Sequence, residues 1–454
     1  MTPSERAKTL WTESRPVAVA MLMRLWQLAA GPITAFLIAS RFSPELQGLF
    51  YLFGSLLAAQ ALFDLGLTGV LISLSTRDWA GALAGDDAAR RRLGELLRRS
   101  QAWFGGLAVA FGIAVTGFGL WFLDEPAVAG LDWRPAWVVS SLATAAAVAL
   151  LPGVGILEGR FVTAVNVMRL AQAVLGNLVV WAAIVGEAGV WAVAGSAVVR
   201  LACELGLVAG WFGRRLRSLR QAAPPEGDDR DLWTQTVQPL QWRIAVQSLA
   251  NYFASQTLTL IVGKVDSIAA AGRMGMTWTI LMAVQATALV WLQARLPALG
   301  TAVAAGDVTL ARRLLHRTLA LTTAFHALGV AAVCLLVVLL DRTRPDLASR
   351  LLDWPTIAAF GLSLGLLNGL ICWNGYVRLY RIDPFLRPGL IASTVLAVAV
   401  LIGGTLGGAT GIAAAHLLTM AAVSLPLHIP TIRRELAVVE RAARERSADA
   451  AGTA

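Results

Sequence analysis

Charged residues are scarce in this chain, and their scarcity excludes a soluble globular protein. Only 15% of the 454 residues are Asp, Glu, Lys or Arg, whereas 57% are hydrophobic, and the mean hydropathy is +0.66. An average soluble domain carries roughly 25% charged residues. Because a surface in contact with water needs more charge than this, the sequence predicts a membrane protein.

Residues that carry catalytic, redox or metal chemistry are also few. The three cysteines, Cys203, Cys334 and Cys372, lie inside apolar runs, so no disulfide framework is expected. The four histidines lack metal-binding spacing, and no GxxxxGK[ST] loop for nucleotide phosphates is present. We therefore expect no catalytic motif, metal or cofactor. The net charge of +10 does not indicate nucleic-acid binding, because the arginines are spread over short loops between apolar runs.

Long apolar runs are abundant instead. A run of about 18 to 20 residues is long enough to cross roughly 30 Å of hydrocarbon as a helix. The sequence predicts about twelve such spans, at 16–40, 48–75, 101–123, 136–157, 164–186, 188–211, 243–262, 274–299, 317–340, 355–379, 388–405 and 409–429. The predicted fold class is therefore an all-α polytopic membrane protein.

The distribution of Lys and Arg predicts the orientation of these spans. About 27 basic residues fall in one alternating set of loops and about seven in the other. By the positive-inside rule both termini face the cytoplasm. The predicted domains are a six-helix bundle at 1–215, a cytoplasmic linker at 216–240, a second six-helix bundle at 241–430 and a cytoplasmic tail at 431–454.

Two arginine-rich segments, 85–100 and 306–318, indicate that the halves are related. Gly85 and Asp86 match Gly306 and Asp307 at a constant offset of 221 residues. A repeat of six helices keeps its orientation in the membrane, which predicts parallel halves. Each segment is predicted to form an amphipathic helix whose leucines lie at the membrane surface, namely Leu93, Leu96, Leu97, Leu310, Leu314 and Leu315.

Charged residues inside spans are the candidate functional residues, because each costs on the order of 3 kcal/mol at a helix centre. Arg24 in the first span and Asp64 in the second lie at similar depths. They could neutralise each other as an ion pair. Alternatively, Arg24 faces a cavity and binds an anionic substrate while Asp64 holds it or carries a coupling proton, or Arg24 extends to the membrane surface.

Three further arginines and one glutamate fall inside spans. Arg200 and Glu204 are four residues apart and share a helix face, so they either neutralise each other or line a water-filled cavity. Glu204, like Asp64, is a candidate for a coupling group or for one half of a charge pair. Arg169 and Arg295 lie near predicted cytoplasmic ends, where an arginine can extend to the headgroups. Both are also candidates for a cationic cavity.

The segment at 41–67, RFSPELQGLFYLFGSLLAAQALFDLGL, resembles the first loop and second span of the bacterial polysaccharide flippases. This family belongs to the multidrug/oligosaccharidyl-lipid/polysaccharide exporter superfamily. The segment AGRMGMTWTI at 271–280 is similar to the start of their eighth span. The residues that carry the first resemblance are Ser43, Pro44, Gln47, Gly48, Tyr51, Leu65 and Gly66.

The resemblance implies a transporter of the bacterial cytoplasmic (inner) membrane that moves an undecaprenyl-diphosphate-linked oligosaccharide by alternating access around a cationic cavity. It implies coupling to a proton or cation gradient, and other polysaccharide-assembly membrane proteins as possible partners. Arginines suit a diphosphate because they bind anions through two N–H groups at once. Two alternatives stay open: a cation-coupled multidrug exporter, and a membrane partner of a glycan-synthesis complex that does not itself transport.

Overall fold

The computed structural model describes the backbone of residues 3–64, 66–223, 249, 252–253 and 256–452, without the side chains of 3–18, 20, 24 and 443–452. Within these residues the regular structure is entirely helical. The chain divides into two compact units, Met1–Tyr252 and Phe253–Ala454. The predicted domain boundaries at 215, 240 and 430 stay a prediction, because most of the linker lies outside the described residues.

Unit 1 contains nine α-helices and a π-helical turn, Gly206–Trp211, in the part that the structure describes. The helices are α1 (Pro3–Arg41), α2 (Pro44–Leu57), α3 (Gln60–Asp64), α4 (Leu67–Leu83), α5 (Asp87–Phe122), α6 (Arg134–Glu158), α7 (Val162–Val185), α8 (Trp191–Leu205) and α9 (Gly213–Arg220).

Unit 2 contains, within its described residues, eight further helices and a π-helical turn, Met420–Ser424. These are α10 (Leu258–Val265), α11 (Ile268–Ala288), α12 (Val290–Ala304), α13 (Val308–Thr343), α14 (Pro345–Ala348), α15 (Trp354–Arg378), α16 (Leu386–Thr419) and α17 (Leu425–Gly452).

The predicted fold class is confirmed. Ten helical segments of the described chain are long and apolar enough to cross a membrane. One of these segments, Leu386–Ala442, contains two spans, because Gly407 and Gly408 leave the helical conformation and Gly408 has a φ of 54°. A Cβ on Gly411 would meet the carbonyl oxygen of Gly403, so the two arms pack side by side. Half of the predicted span at 243–262 lies outside the described residues.

Two predicted spans are interrupted rather than continuous. The second breaks between α2 and α4, where Gly66 has a φ of 70° and the short helix α3 intervenes. The eighth breaks at Leu289, between α11 and α12. A left-handed φ strains any residue except glycine, so Gly66 is the residue that permits the break in span two. The sequence predicted both spans as single runs, because apolar periodicity does not report such breaks.

The repeat predicted from the arginine-rich segments is confirmed in the secondary structure. Both α5 and α13 have 36 residues and begin at positions that differ by 221. Each follows a glycine with positive φ, Gly85 or Gly306, and each is capped by an aspartate that accepts a backbone N–H, Asp86 or Asp307. The two halves therefore share the same turn and cap before the same long helix.

The prediction that the leucines of 85–100 lie at the membrane surface is wrong. Leu93 and Leu97 are fully buried and Leu96 is nearly so, in a core that includes Leu216 and Leu219 of α9. The segment is simply the first part of α5, and α9 covers its apolar face. In unit 2, Leu315 is buried and Leu310 remains exposed.

The helix α9, at the start of the predicted linker, is fixed to α5 by arginines. Arg98 donates to the carbonyl oxygens of Arg220 and Ala222 at 2.8 and 2.7 Å, and a Cβ on Gly94 would overlap the carbonyl of Leu219. A guanidinium at a helix C-terminus satisfies carbonyl groups that have no partner within the helix. The chain at 213–222 is therefore part of the packed unit.

Candidate functional site

A polar cavity of about 570 Å³ opens among α1, α2, α7 and α8 of unit 1. Ligand-binding pockets commonly have volumes of roughly 300–1,000 Å³. The cavity is lined by Met23, Gln27, Thr34, Phe50, Arg169, Gln172, Ala173, Gly176, Asn177, Val180, Ser196 and Arg200. It therefore combines two of the four candidate arginines with several neutral hydrogen-bonding groups.

Arg200 is held on three sides by polar groups. Its Nε donates to Glu204 Oε1 at 3.0 Å, and its Nη1 donates to Gln60 Oε1 at 2.7 Å. Gln172 donates to Glu204 Oε1 and to the carbonyl of Arg200, both at 3.3 Å. The contact with Gln60 connects the cavity to α3, the short helix at the break in span two.

Arg169 is held by a second carboxylate. Its Nη1 and Nη2 donate to the two oxygens of Glu158 at 2.6 and 2.7 Å, which joins α7 to the end of α6. This two-point geometry is the strongest that an arginine makes with a carboxylate. It fixes the orientation of the Arg169 guanidinium at the cavity wall.

The cations and the carboxylates occupy different positions at the cavity. Arg169 and Arg200 line it and are 39% and 32% exposed, whereas Glu158 and Glu204 do not line it and are only 15% and 5% exposed. The guanidinium charges are therefore nearer to the cavity than the carboxylate charges are, although the four charges sum to zero. The cavity consequently presents positive charge to a ligand.

Glu204 has one oxygen that is not used. Its Oε1 accepts from Arg200 and Gln172, while its Oε2 is buried and accepts no hydrogen bond from the described residues. A buried carboxylate oxygen without a partner is costly unless it carries a proton or an ion at some stage. Its role as a coupling group, as predicted from the sequence, stays a prediction.

The remaining predicted site residues lie elsewhere. Asp64 accepts from the backbone N–H and the hydroxyl of Thr68, at 3.2 and 2.6 Å, so it caps the start of α4. Arg24 lies on α1, but its side chain is outside the described part, so its pairing with Asp64 stays a prediction. Arg295 is half-buried on α12 of unit 2, makes no ion pair with the described residues, and does not line the cavity.

Sequence reasoning missed several polar residues of the site. Gln27 and Gln172 line the cavity, and Glu158 pairs with Arg169. A signal for Gln172 was present, because it follows Arg169 by three residues and precedes Gly176 by four, and all three share one helix face. Glu158 could not be found by helix spacing, since it lies on another helix.

Tryptophans fix the wall between α1 and α7. Trp26 donates its indole N–H to the carbonyl of Ala173 at 3.1 Å, and Trp181 donates to the Thr34 hydroxyl at 2.8 Å. The two ring centroids are 5.8 Å apart. These contacts satisfy both indole groups within the membrane and hold Thr34 at the cavity wall.

Two pairs of polar side chains are buried in unit 2. Ser363 and His416 are joined at 2.6 Å, and Gln285 donates to Asn368 at 3.0 Å. No cluster of three or more His, Cys, Asp or Glu side chains that could hold a metal ion occurs among the described residues. These pairs are typical of interhelical hydrogen bonds in membrane bundles.

No family model and no curated protein matches this sequence. Several solved structures match the fold over nearly the whole chain. An inward-facing MATE multidrug resistance transporter of the MOP superfamily has a TM-score of 0.60 at 13% identity, over 94% of this chain and 98% of that one. The lipid II flippase MurJ, in an inward closed conformation, has a TM-score of 0.55 at 12% identity, over 94% and 90%.

A third similar structure is a point mutant of the Vibrio cholerae MATE transporter VcmN. Its TM-score is 0.55 at 13% identity, over 96% of this chain and 99% of that one. Identities this low relate the folds alone. This chain is a multi-pass membrane protein with the fold shared by the MATE transporters and the MurJ flippase.

Proposed function

We propose that this protein is a flippase that moves an undecaprenyl-diphosphate-linked oligosaccharide across the bacterial cytoplasmic membrane by alternating access. The observation that carries the proposal is the cavity of unit 1, which presents Arg169 and Arg200 and has no carboxylate among the described residues that line it. A diphosphate cannot cross hydrocarbon without such counter-charges, because burying an unpaired charge is too costly.

The neutral residues of the cavity suit the sugar part of such a cargo. Gln27, Gln172, Asn177 and Ser196 offer both donors and acceptors for hydroxyl groups. Because these residues and the arginines line the same cavity, one ligand could contact both the neutral side chains and the guanidinium groups. We assign binding of the oligosaccharide to the amide side chains, and binding of the diphosphate to the guanidinium groups beside them.

The break in span two supports a conformational cycle. Arg200 contacts Gln60 on α3, and α3 lies between the two parts of the span. An anion that draws Arg200 toward the cavity would weaken its hydrogen bond to Gln60. The short helix α3, which lies at the break, would then lose a contact that holds it to α8. Differential contacts of this kind are what a ligand needs to shift a conformational equilibrium. Glu204, with its unpartnered Oε2, is the group that we assign to proton or cation coupling.

A cation-coupled multidrug exporter is the second candidate function, and the fold similarity to the MATE transporters favours it. An organic cation would be repelled by Arg169 and Arg200 unless Glu158 or Glu204 turned toward it. A further possibility is a non-transporting partner of a glycan-synthesis complex. The two transport functions differ in the charge of the ligand that the cavity accepts.

Ligand binding separates these functions. We expect geranylgeranyl diphosphate, a soluble isoprenyl diphosphate, to raise the thermal stability of the purified protein in detergent, whereas ethidium should not. The double variant Arg169→Gln/Glu158→Gln removes one cation without leaving a buried charge, and it should weaken diphosphate binding about tenfold.

The control for this measurement is Arg160→Ala, which removes an exposed arginine from the turn between α6 and α7. It should bind the diphosphate like the wild type. Stabilisation by ethidium alone would support the multidrug alternative, and equal binding of the diphosphate by the double variant would contradict the role of Arg169.

A further inference from the structure

A long apolar groove runs along unit 2, separate from the cavity described above. It lies among α13, α15 and α17 and has a volume of about 1020 Å³. On α13 its lining residues extend from Arg312 to Cys334, which is about 33 Å at 1.5 Å per residue. The groove is therefore about as long as the hydrocarbon layer is thick, roughly 30 Å.

The middle of the groove is lined mainly by aliphatic groups. Ala327, Ala331 and Leu362 line it and are exposed. Its floor is tightly packed: a Cβ on Gly361 would overlap the side chain of Val330, and one on Gly365 would lie 3.2 Å from the His326 ring. A narrow apolar channel on membrane-spanning helices has the right chemistry for a hydrocarbon chain.

One end of the groove is basic. Arg312, His316 and Arg433 line it there, and each is exposed. Arg312 is bound by Glu440, whereas Arg433 makes no ion pair with the described residues. The charges of Arg312 and Glu440 cancel, which leaves the positive charge of Arg433 at this end.

We propose that this groove binds an anionic phospholipid, with one acyl chain along the apolar part and the phosphate at Arg433 and His316. A phosphodiester carries one negative charge, which matches the charge of the basic end. Basic pockets at helix ends recognise anionic headgroups, and guanidinium–phosphate contacts are among the strongest hydrogen bonds.

Lipid binding to the purified full chain tests this proposal. The protein in detergent is titrated with phosphatidylglycerol or with phosphatidylcholine of the same acyl chains, and bound lipid is counted by native mass spectrometry. We expect phosphatidylglycerol to bind more tightly. Arg433→Ala should weaken its binding about tenfold, the effect of one charge-assisted hydrogen bond. Arg434→Ala removes a neighbouring arginine that does not line the groove, and binding should be unchanged.

A second pair of variants tests the apolar part. Ala331→Trp fills the groove and should reduce binding of both lipids, while Ala332→Trp, at an exposed alanine outside the lining, should not. Equal binding of the two lipids, or equal effects of Arg433→Ala and Arg434→Ala, would overturn the proposal. Tighter binding of undecaprenyl phosphate than of phosphatidylglycerol, lost in Ala331→Trp, would also overturn it, since the groove would then hold a polyprenyl chain. None of these readouts depends on transport.

Discussion

Replacing Arg200 with alanine is expected to reduce flipping of an isoprenyl-diphosphate-linked oligosaccharide about 100-fold. The estimate corresponds to the loss of one two-point, charge-assisted contact with the diphosphate, about 3 kcal/mol. Arg200→Lys should keep part of the activity, because an ammonium retains the charge but lacks the fork that reaches Glu204 and Gln60 together. The measurement is the initial rate of flipping in proteoliposomes at equal protein content.

The double variant Arg200→Ala/Glu204→Ala separates a binding role from a structural one. Arg200→Ala alone leaves Glu204 buried without its cation, and protein abundance should fall. Removing both side chains should restore abundance, because no buried charge remains. If Arg200 binds cargo, binding of geranylgeranyl diphosphate stays weak in the double variant, and this readout does not depend on the coupling role assigned to Glu204. If diphosphate binding returns together with abundance, Arg200 serves only as the partner of Glu204.

The second large effect is expected at the ion pair that fixes the C-terminal helix. Glu440 of α17 is 4% exposed and accepts from Arg312 Nε and Nη2 at 3.0 and 2.5 Å, and from the Tyr376 hydroxyl at 3.1 Å. Arg312→Ala leaves this carboxylate with one donor. Because Arg312 is half-exposed and water can reach the site, we expect a loss of about 2 kcal/mol in unfolding free energy, below the roughly 3–5 kcal/mol of a fully buried pair.

The matched control for this prediction is Arg313→Ala. Arg313 follows Arg312 on α13, is exposed, and makes no ion pair with the described residues. Its replacement should change stability by less than about 0.5 kcal/mol. The double variant Arg312→Met/Glu440→Leu should recover most of the loss, since apolar residues replace both charges. The stability of all three variants is measured by thermal unfolding in detergent. Equal melting temperatures of Arg312→Ala and Arg313→Ala would show that the pair does not stabilise α17.

The spans, the fold class and the repeat could be predicted from the sequence because they depend on local patterns. Apolar runs report spans directly, and the pairs Gly85–Asp86 and Gly306–Asp307 specify a left-handed turn and an N-cap wherever they occur. The hairpin at Gly407–Gly408 was also predictable, as the boundary between the spans at 388–405 and 409–429.

The partners of the charged residues could not be predicted in the same way. Arg200 and Glu204 are one helical turn apart, and their pairing follows from spacing. Arg169 pairs with Glu158 across a turn, and Arg312 with Glu440 at 128 residues' separation, so both depend on tertiary packing. The buried leucines of α5 show the same limit. An amphipathic face indicates that something covers it, but the sequence does not indicate whether lipid or α9 does so.

Flipping by the wild-type protein tests the central claim most directly. Purified protein is reconstituted into liposomes that carry a fluorescent undecaprenyl-diphosphate-linked oligosaccharide, and the fraction accessible to an external quencher is followed with and without an imposed proton gradient. A parallel sample follows ethidium transport. We expect protein-dependent movement of the oligosaccharide lipid and no transport of ethidium. Transport of ethidium without movement of the oligosaccharide lipid would contradict the proposed function.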